Sequence, residues 1–285
     1  MKKLLPNLIL ALVFIAGLAL LLYPTVSNYI NTRHQSHVVT GYEKDMAENQ
    51  DVDYTQTRAS AEEFNRTLAA DTDRFLITDE DADLYNLQLN PFGNGIMGYI
   101  EIDRIDVKLA IYHGTDDAIL QVGAGHVEGT SLPTGGAGTH CAISGHSGLP
   151  SALLFTNLDR LTTGDTFTLH ILNDVLTYRV DQILVVEPSD LTALEIVPDK
   201  DYCTLVTCTP YGINSHRLMV RGERIDNVPP TQQQEQKTVE LAPEKNAYTL
   251  ELALLVIITL LILFVLILML EKKLRRKNNA SKRDN

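Results

Sequence analysis

Three side chains in the second half of the chain could together perform acyl transfer. Cys208 closes the apolar run Tyr202-Cys203-Thr204-Leu205-Val206-Thr207-Cys208 and precedes Thr209-Pro210-Tyr211-Gly212, a turn signal, so its thiol is expected at a strand end near solvent. Cys203, five positions earlier, is an odd number of residues away and should face the other side of the sheet. His146 stands between Gly145 and Ser147-Gly148, just beyond the apolar run Thr139 to Ser144, where the backbone leaves room for a substrate. Arg217 opens a strand that would return antiparallel to the one ending at Cys208, and the eight residues between them suffice for a loop that leaves both at one mouth. Each has an ordinary alternative. A strand cysteine is more often a small buried hydrophobe, a loop histidine a surface residue, and a strand arginine a solvated one, as expected for Arg221 and Arg224. Jointly they supply a nucleophile, a proton carrier and an oxyanion stabiliser. Zinc would want C-x-x-C or H-x-x-x-H spacings, which Cys203 and Cys208 do not match, so neither a metal nor a cofactor is expected.

These residues need a scaffold of strands. From Gly95 onward, short runs rich in Ile, Val, Tyr and Thr alternate with Gly, Pro and Asp: Ile96 to Ile102, Val107 to Tyr112, Thr139 to Ser144, Thr166 to Leu172, Leu176 to Val186, Tyr202 to Cys208 and Arg217 to Ile225. Seven or eight strands so spaced indicate a barrel or a sandwich. Short helices are expected over Asp116 to Val122 and Ser151 to Leu158. Residues 29–94 are polar and nearly free of glycine; weak helical spacing at Val38, Val39, Tyr42 and Met46, then at Ala61, Phe64 and Leu68, predicts surface helices rather than core.

The ends of the chain have a different composition. Residues Leu252 to Leu270 are apolar except Thr259, close to the roughly 20 that cross a bilayer, and the basic run Lys272 to Lys277 follows. Lys2 and Lys3 precede Leu4 to Tyr23, which reads as an uncleaved anchor in preference to a signal peptide. The expected organisation is an anchor over 1–28, a helical segment over 29–94, a catalytic barrel over 95–227, a polar tether over 228–248, a second span over 249–271 and a basic tail over 272–285. Both termini would be cytoplasmic and the middle extracellular, with the bilayer as a partner. Nine of the 24 Lys and Arg lie at the two ends, so the exported part is more acidic than the net charge of −12 indicates, and a general nucleic-acid binder is excluded. Three cysteines allow at most one disulfide and leave a thiol, and whether Cys141 pairs with Cys203 stays open.

Taken together, the residues resemble a sortase of the pilin-polymerising class C. Thr204-Leu205-Val206-Thr207-Cys208 is similar to the family's TLxTC signature, Ser144-Gly145-His146 to its histidine segment and Arg217 to its arginine. The likeness runs from Gly95 to about Ile225 and takes in Gly98-Tyr99-Ile100-Glu101-Ile102, His113-Gly114-Thr115 and Gly125-His126-Val127-Glu128-Gly129-Thr130-Ser131-Leu132-Pro133. It implies a mainly β fold, a closed eight-stranded barrel flanked by two transmembrane helices. The implied activity is that of a cysteine transpeptidase cutting Leu-Pro-x-Thr-Gly-like sorting signals between Thr and Gly and passing the acyl group to a lysine of a pilin subunit. Cys208 would be nucleophile, His146 general acid and base, Arg217 oxyanion stabiliser, with Thr207 and Ser144 expected at the substrate. Two departures stand out. The class C lid, an Asp-Pro-aromatic plug, has as counterpart Asp71-Thr72-Asp73-Arg74-Phe75, where Asp73 and Phe75 would serve without the proline; Asn90-Pro91-Phe92 is a second candidate. Ser147 occupies a position where relatives usually carry arginine. A housekeeping-type sortase that anchors proteins to peptidoglycan and a non-catalytic surface scaffold or adhesin are the competing readings.

Overall fold

The computed structural model describes residues 5–227 and Leu260, with side chains from Val13 onward. The expected tether, second span and basic tail otherwise lie outside the described residues. The chain divides into two compact units, Met1–Thr25 with Pro230–Asn285, and Val26–Pro229. In the first, the described element is the beginning of helix α1 (Leu5–Glu48), an uninterrupted helix that contains Pro24 and does not break at residue 28. Within it, Val13–Glu48 is long and apolar enough by length and composition to cross a membrane.

The second unit is built on a closed barrel of eight strands: β1 (Ile96–Ile102), β2 (Val107–His113), β3 (Ala124–His126), β4 (Thr139–Ser144), β5 (Thr166–Ile171), β6 (Asp174–Val186), β7 (Asp201–Thr209) and β8 (His216–Ile225). They close in the order β1-β2-β3-β4-β7-β8-β6-β5. The run β4-β7-β8 matters most for function: β4 lies parallel to β7, and β8 antiparallel to it. Seven strands coincide with the apolar runs of the sequence. The eighth, β3, is Ala-Gly-His, too short and too poor in branched residues to stand out, and is held by parallel pairing to β2 and antiparallel pairing to β4.

Alternate residues of each strand fill the interior. Ile100, Ile143, Phe155, Leu158, Leu169 and Leu205 are fully buried there, each contributing about 1.5–3 kcal/mol of hydrophobic stabilisation. The helix expected over Ser151 to Leu158 does not form. An isolated bridge between Leu149 and Ala152 and a left-handed Leu154 (φ 39°) instead turn the chain, and Phe155 and Leu158 are both fully buried. The other short helix is present as α4 (Asp117–Leu120).

The helices before the barrel are more than a surface layer. Helix α2 (Thr55–Ala70) and helix α3 (Asp79–Leu87) send Ala61 and Tyr85 into the main core, joined by Leu89. Asn65, buried on α2, accepts from the Leu132 amide (2.7 Å) and donates to the Leu132 carbonyl (3.0 Å) and to Thr134 Oγ1 (2.9 Å), fixing α2 to the loop between β3 and β4. Val39, Tyr42 and Met46 of α1 form a second cluster with Ile96, Tyr99 and Ala110. These helices read as surface elements because their apolar stripes are only two or three residues wide, and the barrel's outer wall supplies the rest of the contact.

Candidate active site

The side chains of Cys208, Arg217 and His146 are gathered by strand register. On β7, Leu205 and Thr207 are buried toward the interior, and the alternation turns Val206 and Cys208 to the outer face. Cys208 is directly paired with Arg217 across the β7–β8 ladder, and directly opposed residues of antiparallel strands have Cβ atoms about 4.5–5.5 Å apart on one face. On β4, Ser144 is paired with Val206, and the Gly145 amide extends the ladder by donating to the Val206 carbonyl (3.0 Å). His146 follows Gly145 directly, just beyond the last paired residue of β4. All three residues are half-buried at the same end of the same sheet.

The turn that presents His146 is specified locally. A Cβ at Gly145 would come 2.7 Å from the Phe155 ring, so only glycine allows the close packing. The Phe155 amide donates to the His146 carbonyl (3.0 Å), and the Gly148 amide to Thr156 Oγ1 (3.0 Å). Thr207, expected at the substrate, has its hydroxyl buried beneath the sheet on the face away from Cys208, where it donates to the Gly145 carbonyl (2.6 Å) and braces the histidine turn. Ser144, half-buried, shares the outer face with His146.

Arg217 Nη1 donates to the carbonyls of His216 (3.2 Å) and Asn214 (3.4 Å), and no carboxylate among the described residues neutralises it. Arg221, four residues further along β8, is committed elsewhere: it is paired with Asp181 (2.6 Å) and stacked over Tyr202. It is therefore held in place rather than simply solvated. Cys141 and Cys203 are free thiols, mutually paired in the β4–β7 register and buried in the core at 2% and 0% exposure, on the side of the sheet away from Cys208.

Val206, Met219 and Ala142 continue the outer face away from Cys208 and Arg217, and with Leu194 they make an apolar floor on which Phe75 packs. The segment carrying Phe75 is fastened by Arg74, whose guanidinium donates to the carbonyls of Gly129 (2.8 Å) and Leu194 (2.9 Å) and lies over the Phe75 ring. Gly129 has φ 85°, and a Cβ there would stand 2.6 Å from both the Arg74 carbonyl and the Phe75 ring. Asp73 is exposed and contributes through its backbone, which accepts from the Leu76 amide (2.7 Å). Phe92, from the alternative lid segment, packs edge-on against Tyr42 of α1 and belongs to that cluster. The sequence signal for Arg74 was thin, a lone arginine in an acidic loop whose two carbonyl partners lie far along the chain.

His140 lies further back on β4, on the same face of the strand as Ala142. Nδ1–H donates to the Glu195 carbonyl (2.8 Å) and Nε2 accepts from the Thr204 hydroxyl (2.8 Å), tying β4 to the loop before β7. Burial, reinforced by the charges of Arg221 and Arg74, lowers its pKa to about 4 despite the Glu195 hydrogen bond, so the ring is neutral.

Known proteins are similar to this chain in sequence and fold. A family model described as a sortase domain matches residues 100–225. The crystal structure of sortase C1 from Streptococcus agalactiae is 47% identical, covers 67% of this chain and all of its own, and superposes with a TM-score of 0.64. A Streptococcus pneumoniae sortase C is 42% identical over 68% of this chain and 99% of its own, with a TM-score of 0.59. Sortase A of Streptococcus agalactiae serotype III is more distant, 25% identical over 76% of this chain and 83% of its own length. With the barrel and the coverage both agreeing, the chain belongs to the sortases, a family of cysteine transpeptidases, and within them to class C.

Proposed function

We propose that the protein cleaves a Leu-Pro-x-Thr-Gly-like sorting signal between Thr and Gly and transfers the acyl group to a lysine amine of a pilin subunit. The reading is carried by one observation: Cys208 and Arg217 are cross-strand partners at the end of the β7–β8 ladder, beside the end of β4 that leads into His146. The Cys208 thiolate attacks the threonine carbonyl, and the oxyanion that forms is held by Arg217, whose charge is permanent at cellular pH. Collapse breaks the Thr–Gly bond, His146 protonates the departing glycine amine, and a thioester remains on Cys208. An incoming lysine amine then gives its proton to His146 and attacks the thioester, releasing the Cys208 thiolate and forming an isopeptide bond. The apolar floor of Ala142, Leu194, Val206 and Met219 suits the apolar residues of the signal, and Phe75 occupies it as a lid. The similarity to a pneumococcal sortase C described for its pilin substrate specificity favours a pilin as partner over a peptidoglycan precursor. The apolar part of α1 serves as membrane anchor with the barrel outside the cell.

Incubating the protein with a sorting-signal peptide and following cleavage by mass spectrometry tests the reading. Cys208→Ala and Arg217→Ala are each expected to abolish cleavage, and Cys203→Ala to retain it, because that thiol lies in the core. Turnover by Cys208→Ala would overturn the mechanism. Adding a pilin or a lipid-linked wall precursor as acceptor then identifies the amine.

A further inference from the structure

The geometry points to a second role for the active-site end of the barrel: it is a lipid-contact surface, with an apolar rim of Leu153, Tyr211 and Ile213, continued by Tyr29 and Ile30 of α1, seated in the interfacial layer of the bilayer. This rests on the reading of α1 as a membrane anchor.

Helix α1 lies along the barrel in one sense only. Asn28 Oδ1 accepts from the Leu153 amide (2.8 Å), in the loop that follows His146, and Asn31 donates to the Gln121 carbonyl (3.4 Å), just ahead of β3, whose Gly125 pairs with Ser144. Four turns later, Tyr42 accepts from the Leu172 amide (2.9 Å) and donates to the Met97 carbonyl (3.2 Å), at the opposite end, where Ile171 pairs with Asp174 at the start of β6. The far end of β6 is Val186, which pairs with Arg217. The residues of α1 nearest the apolar stretch therefore meet the barrel at its catalytic end. Asn28 follows Tyr23 by five residues, which even fully extended span at most about 18 Å. Chain connectivity alone thus keeps the Leu153 loop near the bilayer boundary.

That same end displays apolar side chains to solvent. Tyr211 and Ile213, in the loop joining β7 to β8, are 69% and 72% exposed, Ile30 is 62% exposed, and Leu153 and Tyr29 are also open. The two loops adjoin, since a Cβ at Gly148 would stand 3.2 Å from the Tyr211 ring. Tyrosine and isoleucine at a loop tip beside a membrane helix suit the interface, where an aromatic ring buries its body and keeps its hydroxyl wet. A site so oriented opens along the bilayer surface and favours acyl donors and acceptors that are themselves membrane-tethered.

The chain has no tryptophan, so a single introduced indole reports on one place. Full-length Tyr211→Trp, reconstituted in phosphatidylcholine–phosphatidylglycerol vesicles, is expected to lose emission when the lipids carry bromine near the headgroup end of the acyl chains. Val175→Trp, at the start of β6, is expected to keep it. Leu20→Trp reports on the anchor itself, and Ile213→Trp repeats the measurement should Tyr211→Trp fold poorly. Quenching of Leu20→Trp without quenching of Tyr211→Trp or Ile213→Trp overturns the inference while leaving the anchor intact, as would be seen if the rim met a protein partner. An unquenched Leu20→Trp overturns the anchor reading, and this inference with it. Equal quenching of Val175→Trp would show that lipid contact is not confined to the catalytic end, and would also overturn it.

Discussion

The chemistry of this protein depends on which face of a strand each residue occupies. Cys208 and Thr207 are neighbours in sequence, yet one is half-buried on the outer face and the other is buried beneath the sheet with its hydroxyl on the Gly145 carbonyl. The substitution Thr207→Val keeps the shape and removes that hydrogen bond, a loss of about 1–2 kcal/mol in bracing the histidine turn. Peptide-cleavage kinetics are expected to record a kcat lower by about tenfold with KM little changed, because nothing that touches substrate has been altered. A rise in KM with kcat preserved would instead place Thr207 at the peptide.

Among the elements, the segment Asp71 to Ile77 is the one whose attachment differs from the expected plug. Its hold on the barrel comes from Arg74, which satisfies two backbone carbonyls from separate loops, while Phe75 covers the apolar floor beside Cys208 rather than the proline-stiffened turn fixing it. Hydrogen bonds from a charged donor contribute about 1.5–3 kcal/mol each, so Arg74→Ala should release the segment without unfolding the barrel. The rate at which a maleimide modifies Cys208, followed by mass spectrometry of the intact chain, is expected to rise several-fold, and deletion of 74–77 to raise it further. An unchanged rate in both variants would mean that this segment does not restrict access to the thiol.

For the molecule as a whole, stability should depend on acid through His140. Its pKa is about 4 in the fold against 6.5 for a free imidazole. Between those values the unfolded chain binds a proton that the folded one does not, so stability is full above about pH 6.5 and falls as pH drops toward 4, by roughly 3 kcal/mol at most. Urea unfolding of the full-length protein in detergent should therefore show midpoints that decline from pH 7 to pH 4.5, and the decline should be shallower in His140→Gln. Equal slopes in the two proteins would indicate that the imidazole titrates normally in the fold. Glu101 contributes in a lower window. The close approach of His170 (3.3 Å) and the paired Lys108 (2.8 Å) lower its pKa to about 2, so its contribution is lost only as pH falls below the ordinary carboxylate range.

Seven of the eight strands, the turn after Cys208 and the meeting of Cys208 with Arg217 across it could be read from the chain, because apolar runs, glycines and prolines act locally and leave their mark within a few residues. The opposite facing of Cys203 and Cys208 followed equally from the two-residue period of a strand. What the sequence left open was decided by partners distant along it. The three-residue β3 exists because β2 and β4 flank it, the Thr207 hydroxyl found its partner because the end of β4 brings the Gly145 carbonyl beside β7, and Arg74 became a fastening because Gly129 and Leu194 converge on it. Such contacts arise only when strands far apart in the chain come into register, and no local pattern of residue types encodes them.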